Sequence, residues 1–279
     1  MPERVRIFPP ELLTAELVER HLPDASDLQP IGRPGGFKVT FKGRWQGGEA
    51  AIQVHYRYDD ERLDRESAAL RAIDSPHVAN LLDEAEFSIG EHEFPVYVCE
   101  FISGQTLQEL VDAGSRWRPE ELCRLARDLA IGLEAIHEQG LVHRDIKPAN
   151  IIVADRGPAV ILDLGIAKHL DRTTITFDVH PGTRGWKSPE QLRADEIDQR
   201  SDLFALGLVL YYAATGSHAF GDDGDLDSNI LGRAPHRLPE SEYGHLSANV
   251  ARLYSRERHQ RPRSATRFLD AIAEPVASE

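Results

Sequence analysis

The octapeptide His143-Arg144-Asp145-Ile146-Lys147-Pro148-Ala149-Asn150 stands between a helical pattern and an apolar strand pattern. Thirteen residues beyond Asn150, at the end of a second strand pattern, comes Asp163-Leu164-Gly165. Asp145 offers an acceptor for a hydroxyl proton, and Lys147 a cation for a moving phosphate. Asn150 and Asp163 offer the oxygen ligands that magnesium prefers. Together these meet the demands of phosphoryl transfer, on turns able to converge.

Upstream of the octapeptide, Leu122, Leu125, Leu129, Leu133 and Ile136 recur at spacings of three and four, one face of a helix. Pro119 with Glu120 and Glu121 opens that helix and Gly140 closes it. Downstream, NIIVAD and AVILDLG read as short strands around Arg156-Gly157-Pro158, and beyond Ser201 the pattern is helical. The apolar run Leu203 to Ala214 is too short to span a bilayer and reads as a buried core helix.

Residues 31–102 have a different grammar. KVTFKGRW and AAIQVHY flank the turn QGGE as a β-hairpin, and ANLLDEAEF and FPVYVCEFI flank IGEHE as two more strands. Between these pairs, residues 59–73 carry a helical pattern that Ser75-Pro76 ends. The N-terminal residues 1–30 read as an extension with a short helix over 9–23, packed on its own domain. The expected organisation is an extension (1–30), a small lobe with a hinge (31–102) and a large helical lobe (103–279), with Ser103-Gly104 at the boundary.

Composition agrees with a globular protein. Of 279 residues, 41% are hydrophobic and 28% charged, enough for a core without disulfides. Cys99 and Cys123 lack metal-type spacing and read as buried reduced thiols of a cytoplasmic protein. A net charge of −14 argues against nucleic acid, whose phosphates need a basic surface; it reads first as a well-solvated acidic surface, with long-range attraction of basic substrates or partners as the alternative. No signal peptide or membrane segment is evident.

In these motifs the chain resembles the protein kinase family, over about residues 31–272. His143 to Asn150 is similar to the catalytic loop, with the lysine two residues past the aspartate that marks the serine/threonine branch, and Asp163-Leu164-Gly165 to the magnesium-binding triplet. Gly182 to Glu190 is similar to the end of an activation segment, with Ser-Pro-Glu for Ala-Pro-Glu. The resemblance implies a two-lobed α+β fold: a small, mostly antiparallel β lobe with one helix, and a larger helical lobe. It makes Asp145 the base, Lys147 the γ-phosphate contact, and Asn150 and Asp163 the metal ligands. Asp202 is then the brace of the catalytic loop, Glu190 and Arg261 a structural pair, Cys99 the gatekeeper, and Glu100, Phe101 and Ile102 the hinge that holds adenine. The cofactors implied are ATP and Mg2+, with Mn2+ as a substitute.

Two departures concern the phosphates. Where the family has Val-Ala-Ile-Lys, this chain has Ala50-Ala51-Ile52-Gln53, and Gln53 has no charge. The glycine-rich loop, Gly32-Arg33-Pro34-Gly35-Gly36-Phe37-Lys38-Val39-Thr40, carries an insertion and has Lys38 in place of its third glycine. The segment resembles the with-no-lysine kinases, in which a lysine at that place takes over. Strand parity puts Lys38 on the face of Thr40, and if Thr40 roofs the adenine, as the resemblance implies, Lys38 points toward the phosphates and Glu66. Lys42 is the weaker replacement. The nucleotide-binding set is then Gly32, Gly35, Gly36, Lys38, Thr40, Ala51, Glu66, Glu100 and Ile102.

The leading expectation is a protein serine/threonine kinase acting on protein hydroxyls, its own Thr173, Thr174 and Thr176 included. The alternative is a pseudokinase that binds nucleotide or a partner and signals by shape. A small-molecule phosphotransferase would not need the segment that seats a polypeptide.

Overall fold

The structure, a computed structural model, describes residues 8–32, 37–56, 67–68, 70–162 and 185–273. These belong to two compact units, one within 1–72 and 79–101, the other within 73–78, 102–165 and 179–279.

The first unit is built on a five-stranded antiparallel sheet in the order β1-β2-β3-β5-β4. Its strands are β1 (Ala25–Pro30), β2 (Lys38–Trp45), β3 (Gly48–His55), β4 (Leu81–Ile89) and β5 (His92–Glu100). The β2–β3 and β4–β5 hairpins are those that alternation predicts. Val39 and Phe41 of β2, Ile52 and Val54 of β3, and Phe94, Val96 and Val98 of β5 share one buried face. Lys38, Thr40, Ala51 and Gln53 lie on the other.

The apolar face is covered by the N-terminal segment. Helix α1 (Ala15–His21), whose N-cap Thr14 accepts from the Leu17 N–H, buries Val18, and Leu13 and Leu22 flank it in the same core. The helical stretch is shorter than the 9–23 pattern suggests, because Pro10–Leu12 form a separate 3-10 turn. Strand β1 was not expected. Only Ala25 and Leu28 point inward, and a register shift between Ser26 and Gln29 breaks the two-residue period. The helix expected over 59–73 falls largely outside the described residues.

The second unit is mostly helical: α2 (Leu107–Asp112), α3 (Pro119–Glu138), α4 (Pro189–Leu192), α5 (Arg200–Thr215), α6 (Leu226–Gly232), α7 (Glu240–Tyr243), α8 (His245–Leu253) and α9 (Ala265–Ala273). A small antiparallel sheet, β6 (Gly104–Thr106), β7 (Ile151–Ala154) and β8 (Ala159–Ile161), lies beside them in chain order. Helix α3 buries the five-residue apolar stripe read from its spacing. Helix α5 is buried on nearly every side. At Gly207 it approaches α8 so closely that a Cβ would lie 2.6 Å from the Leu253 side chain. Among the described residues no helix is long and apolar enough to cross a membrane. Cys99 and Cys123 carry thiols, but both are half-buried rather than buried. Cys99 is registered with Ala51 on the sheet face opposite Val96 and Val98, and Cys123 lies beside, not in, the buried stripe of α3.

Candidate functional site

The chemistry-bearing residues fall into two groups, one on each unit. The larger is the loop between α3 and β7. Its shape is set by Asp202, in the first turn of α5 and 1% exposed. One carboxylate oxygen of Asp202 accepts the His143 N–H and the other the Arg144 N–H, each at 2.8 Å. Arg144 has a φ of 65°, a left-handed conformation costly for a side chain with a Cβ. The two Asp202 bonds and one from the Gln191 amide to the Arg144 carbonyl, at 2.9 Å, hold it there. His137, the last basic residue of α3, adds a third bond to Asp202 at 2.8 Å.

His143 connects this loop to the strand beyond. Its Nδ1 accepts the Asp145 N–H at 3.2 Å, so the ring proton lies on Nε2, which donates to the Leu162 carbonyl at 2.9 Å. The Leu162 N–H in turn reaches the Asn150 carbonyl at 2.8 Å. Both backbone groups of the residue before Asp163 are thereby tied to the loop. Asp163 itself lies outside the described residues.

Within the loop, Lys147 Nζ is 2.9 Å from Asp145 Oδ2, with both side chains largely buried. The Asn150 amide nitrogen donates to the Asp145 carbonyl at 2.9 Å and to Asp145 Oδ2 at 3.0 Å. The nitrogen thus faces the carboxylate, and the amide oxygen is the atom with which Asn150 would hold a metal. One amide and one acid oxygen, completed by phosphate oxygens and water, is a donor set that suits magnesium. Among the described residues no cluster of three His, Cys, Asp or Glu offers an all-protein cage.

Below the loop, Glu190 and Arg261 meet in a buried bidentate pair at 2.6 and 2.9 Å. The Ser201 hydroxyl donates to Glu190 as well, at 2.6 Å. Arg261 spends all five N–H donors, the other three on the carbonyls of Ser255, Arg200 and Arg256, and its guanidinium lies 4.8 Å from the centre of the Phe204 ring. Burial opposes the Glu190 charge, but the Arg261 and Ser201 hydrogen bonds and the guanidinium charge outweigh it and hold the carboxyl below its ordinary range.

The second group lies on the polar face of β2 and β3. Thr40 is registered opposite Gln53 and Lys38 opposite His55, so Lys38 and Gln53 are diagonal neighbours. The Lys38 ammonium donates to Gln53 Oε1 at 2.7 Å. Ala51 lies between Lys42 and Cys99 in the same sheet. Lys42 leans the other way, 3.3 Å from Glu49 and 4.2 Å from the centre of the Phe101 ring. At the end of β5 the Glu100 N–H is taken by the Asn80 carbonyl at 2.8 Å, and the Glu100 side chain accepts from the Asn80 amide. Gly32 has a φ of 68° and open space around it, and Ile102 is half-buried. Gly35, Gly36, Glu66, Thr173, Thr174 and Thr176 lie outside the described residues.

Three partners escaped the sequence reading: Ser201 on Glu190, His137 on Asp202, and Gln53 on Lys38. Each joins residues from different elements, a pairing that spacing along the chain does not reveal.

The model of the protein kinase domain matches residues 29–274 of this chain. The serine/threonine-protein kinase pkn2 of Myxococcus xanthus is 34% identical over 270 residues, covering 88% of this chain and 32% of that protein. The probable serine/threonine-protein kinase PkwA of Thermomonospora curvata is 37% identical over 216 residues, 74% of this chain and 28% of that protein. The chain spans about a third of the length of the curated relatives it matches. In fold it is similar to the crystal structure of the Mycobacterium tuberculosis PknI kinase domain, with a TM-score of 0.67 over 90% of this chain and 94% of that one at 20% identity.

Proposed function

The chain belongs to the protein kinase domain family, and from that premise we propose that it transfers the γ-phosphate of ATP to serine and threonine hydroxyls of proteins. The observation that carries this reading is the Asp145 cluster, in which Lys147 and Asn150 both contact one carboxylate held by the Asp202-braced loop.

In this reading Asp145 orients the acceptor hydroxyl and receives its proton as the oxygen attacks the γ-phosphorus. The bond from that phosphorus to the bridging oxygen breaks and ADP leaves. Lys147, whose ammonium already sits beside Asp145, faces the charge on the transferred group. Magnesium, when bound, neutralises phosphate charge, and Asn150 and Asp163 are the residues to hold it.

Lys38 supplies the cation that Gln53 lacks, as in the with-no-lysine kinases. Support comes from the 2.7 Å bond to Gln53, which keeps the Lys38 ammonium at the residue where the family has its lysine. Gly32, Gly35, Gly36, Thr40, Ala51, Glu100 and Ile102 complete the nucleotide contacts, with Glu66 as the helix partner. The net charge of −14 suits basic substrates, and Thr173, Thr174 and Thr176 are proposed sites of self-phosphorylation.

The test is incubation with labelled ATP, magnesium and a pool of basic Ser/Thr proteins. The parent is expected to label substrate and itself, with phosphate found by mass spectrometry on at least one of the three threonines. No transfer with either magnesium or manganese overturns the proposal.

A further inference from the structure

We infer that His218 and Asp227 are positioning residues that clamp the Gly185 peptide and so set the path of the chain beside Asp145, along which an acceptor peptide is seated. The inference rests on the kinase reading for the identity of that peptide.

Residues 185–191 adjoin the Asp145 loop, because Gln191 donates to the Arg144 carbonyl at 2.9 Å. The N-terminal end of this stretch is held from both sides. The Gly185 N–H donates to Asp227 Oδ1 at 2.9 Å, and the Gly185 carbonyl accepts from His218 Nε2 at 2.7 Å. The roles on His218 are fixed by its neighbours. The Phe220 N–H, 3.2 Å from Nδ1, can only donate, and the Gly185 carbonyl can only accept. The ring is therefore neutral with its proton on Nε2.

The surroundings leave no room for a side chain at Gly185. Its φ is 89°, and a Cβ there would lie 2.7 Å from the Leu226 side chain. The clamp is itself rigid. His218 is 4% exposed, its backbone N–H reaches Asp222 Oδ1 at 2.8 Å, and its ring stands edge-on to Trp186. Asp227 lies in the first turn of α6, whose cap Asp225 accepts from the Ser228 hydroxyl at 2.6 Å. Burial pushes the His218 imidazole toward its neutral form, against the pull of the Gly185 bond and of Asp222 and Asp227.

The experiment compares His218→Leu and Asp227→Ala, which each remove one jaw, with His218→Gln and Asp227→Asn, which each keep a donor or acceptor at the same place. The probe is a fluorescein-labelled pool of basic Ser/Thr peptides, read both as substrate in turnover and by anisotropy in the presence of ADP. The jaw-removing variants are expected to raise KM for peptide and weaken peptide binding by roughly five- to tenfold, with KM for ATP unchanged. The conservative pair should stay within about twofold of the parent. Asp227 is only half-buried, so its variants fold even where His218→Leu does not. Peptide binding that is the same in all four variants overturns the clamp, as does a parent that binds no peptide. A parent that binds peptide in a His218- and Asp227-dependent way yet transfers no phosphate overturns the kinase reading and leaves the clamp standing.

Discussion

The Lys38 ammonium donates to Gln53 Oε1 across two antiparallel strands at 2.7 Å, although the register sets Lys38 opposite His55 and Gln53 opposite Thr40. A neutral residue on β3 thus holds a cation that belongs to β2.

The first expected outcome concerns this pair. Lys38→Ala should lower kcat/KM for ATP by about a hundredfold or more, the scale of losing one placed electrostatic contact. Gln53→Ala removes only the holder and should cost about tenfold or less. The exchange Lys38→Gly with Gln53→Lys should recover part of the loss. Steady-state kinetics with varied ATP provide the check, and parent-like activity in Lys38→Ala would falsify the relocation.

At the Asp145 cluster, Asp145→Asn keeps the volume and the contact with Lys147 but removes the proposed proton acceptor. A fall in kcat of at least about a hundredfold is expected, with KM for ATP little changed. Asp163→Ala should abolish transfer. Parent-like rates in both variants would remove the site assignment.

The Glu190–Arg261 pair makes a stability claim. Arg261→Ala strands a buried carboxylate and should cost about 3–5 kcal/mol in urea unfolding. Replacing both partners by apolar residues should cost less. The folded Glu190 carboxyl titrates below its unfolded value, so the stability it adds is present above about pH 4.5 and lost as pH falls through the folded value. If Arg261→Ala unfolds at the urea midpoint of the parent, the pair has no structural role.

His218 acts on stability in a different pH window. Its folded form takes up a proton at lower pH than an unfolded histidine, chiefly because it is buried. Between the unfolded value of about 6.5 and that lower folded value, the unfolded chain binds more protons, so stability falls as pH drops. His218→Gln cannot titrate, and its unfolding free energy should depend less steeply on pH from about 6.5 downward. Equal slopes for parent and variant would contradict the burial argument.

The Asp145 loop was legible because its chemistry is contiguous: eight residues carry the acid, the cation and the amide. The strand parity of Lys38 was legible for a similar reason, since a period of two needs only neighbouring residues. Its partner was not, because Gln53 reads as a loss when charge alone is weighed and as a holder only once the diagonal contact is seen. Strand β1 was hidden by the shift between Ser26 and Gln29 and by the left-handed Asp27, with a φ of 56°, which together spoil the alternation. The grip of His218 on Gly185 had no signal at all. It joins a side chain to a backbone carbonyl 33 residues away, and a carbonyl has no sequence signature.

The covering of the β sheet by the N-terminal segment has a practical consequence for where the chain can be cut. The family match begins at residue 29, an obvious place to start a shortened recombinant version. Such a cut would strip Leu13, Val18, Leu22, Ala25 and Leu28 from the core and bare Phe41, Ile52 and Phe94 to water. Each large apolar side chain so lost forfeits roughly 1.5–3 kcal/mol of burial. Deleting β1 also uncovers the hydrogen-bonding edge of β2, a template for pairing with other chains. A protein trimmed to its homology would therefore aggregate more readily than one that keeps residues 8–28, and its failure would be mistaken for a defect in catalysis.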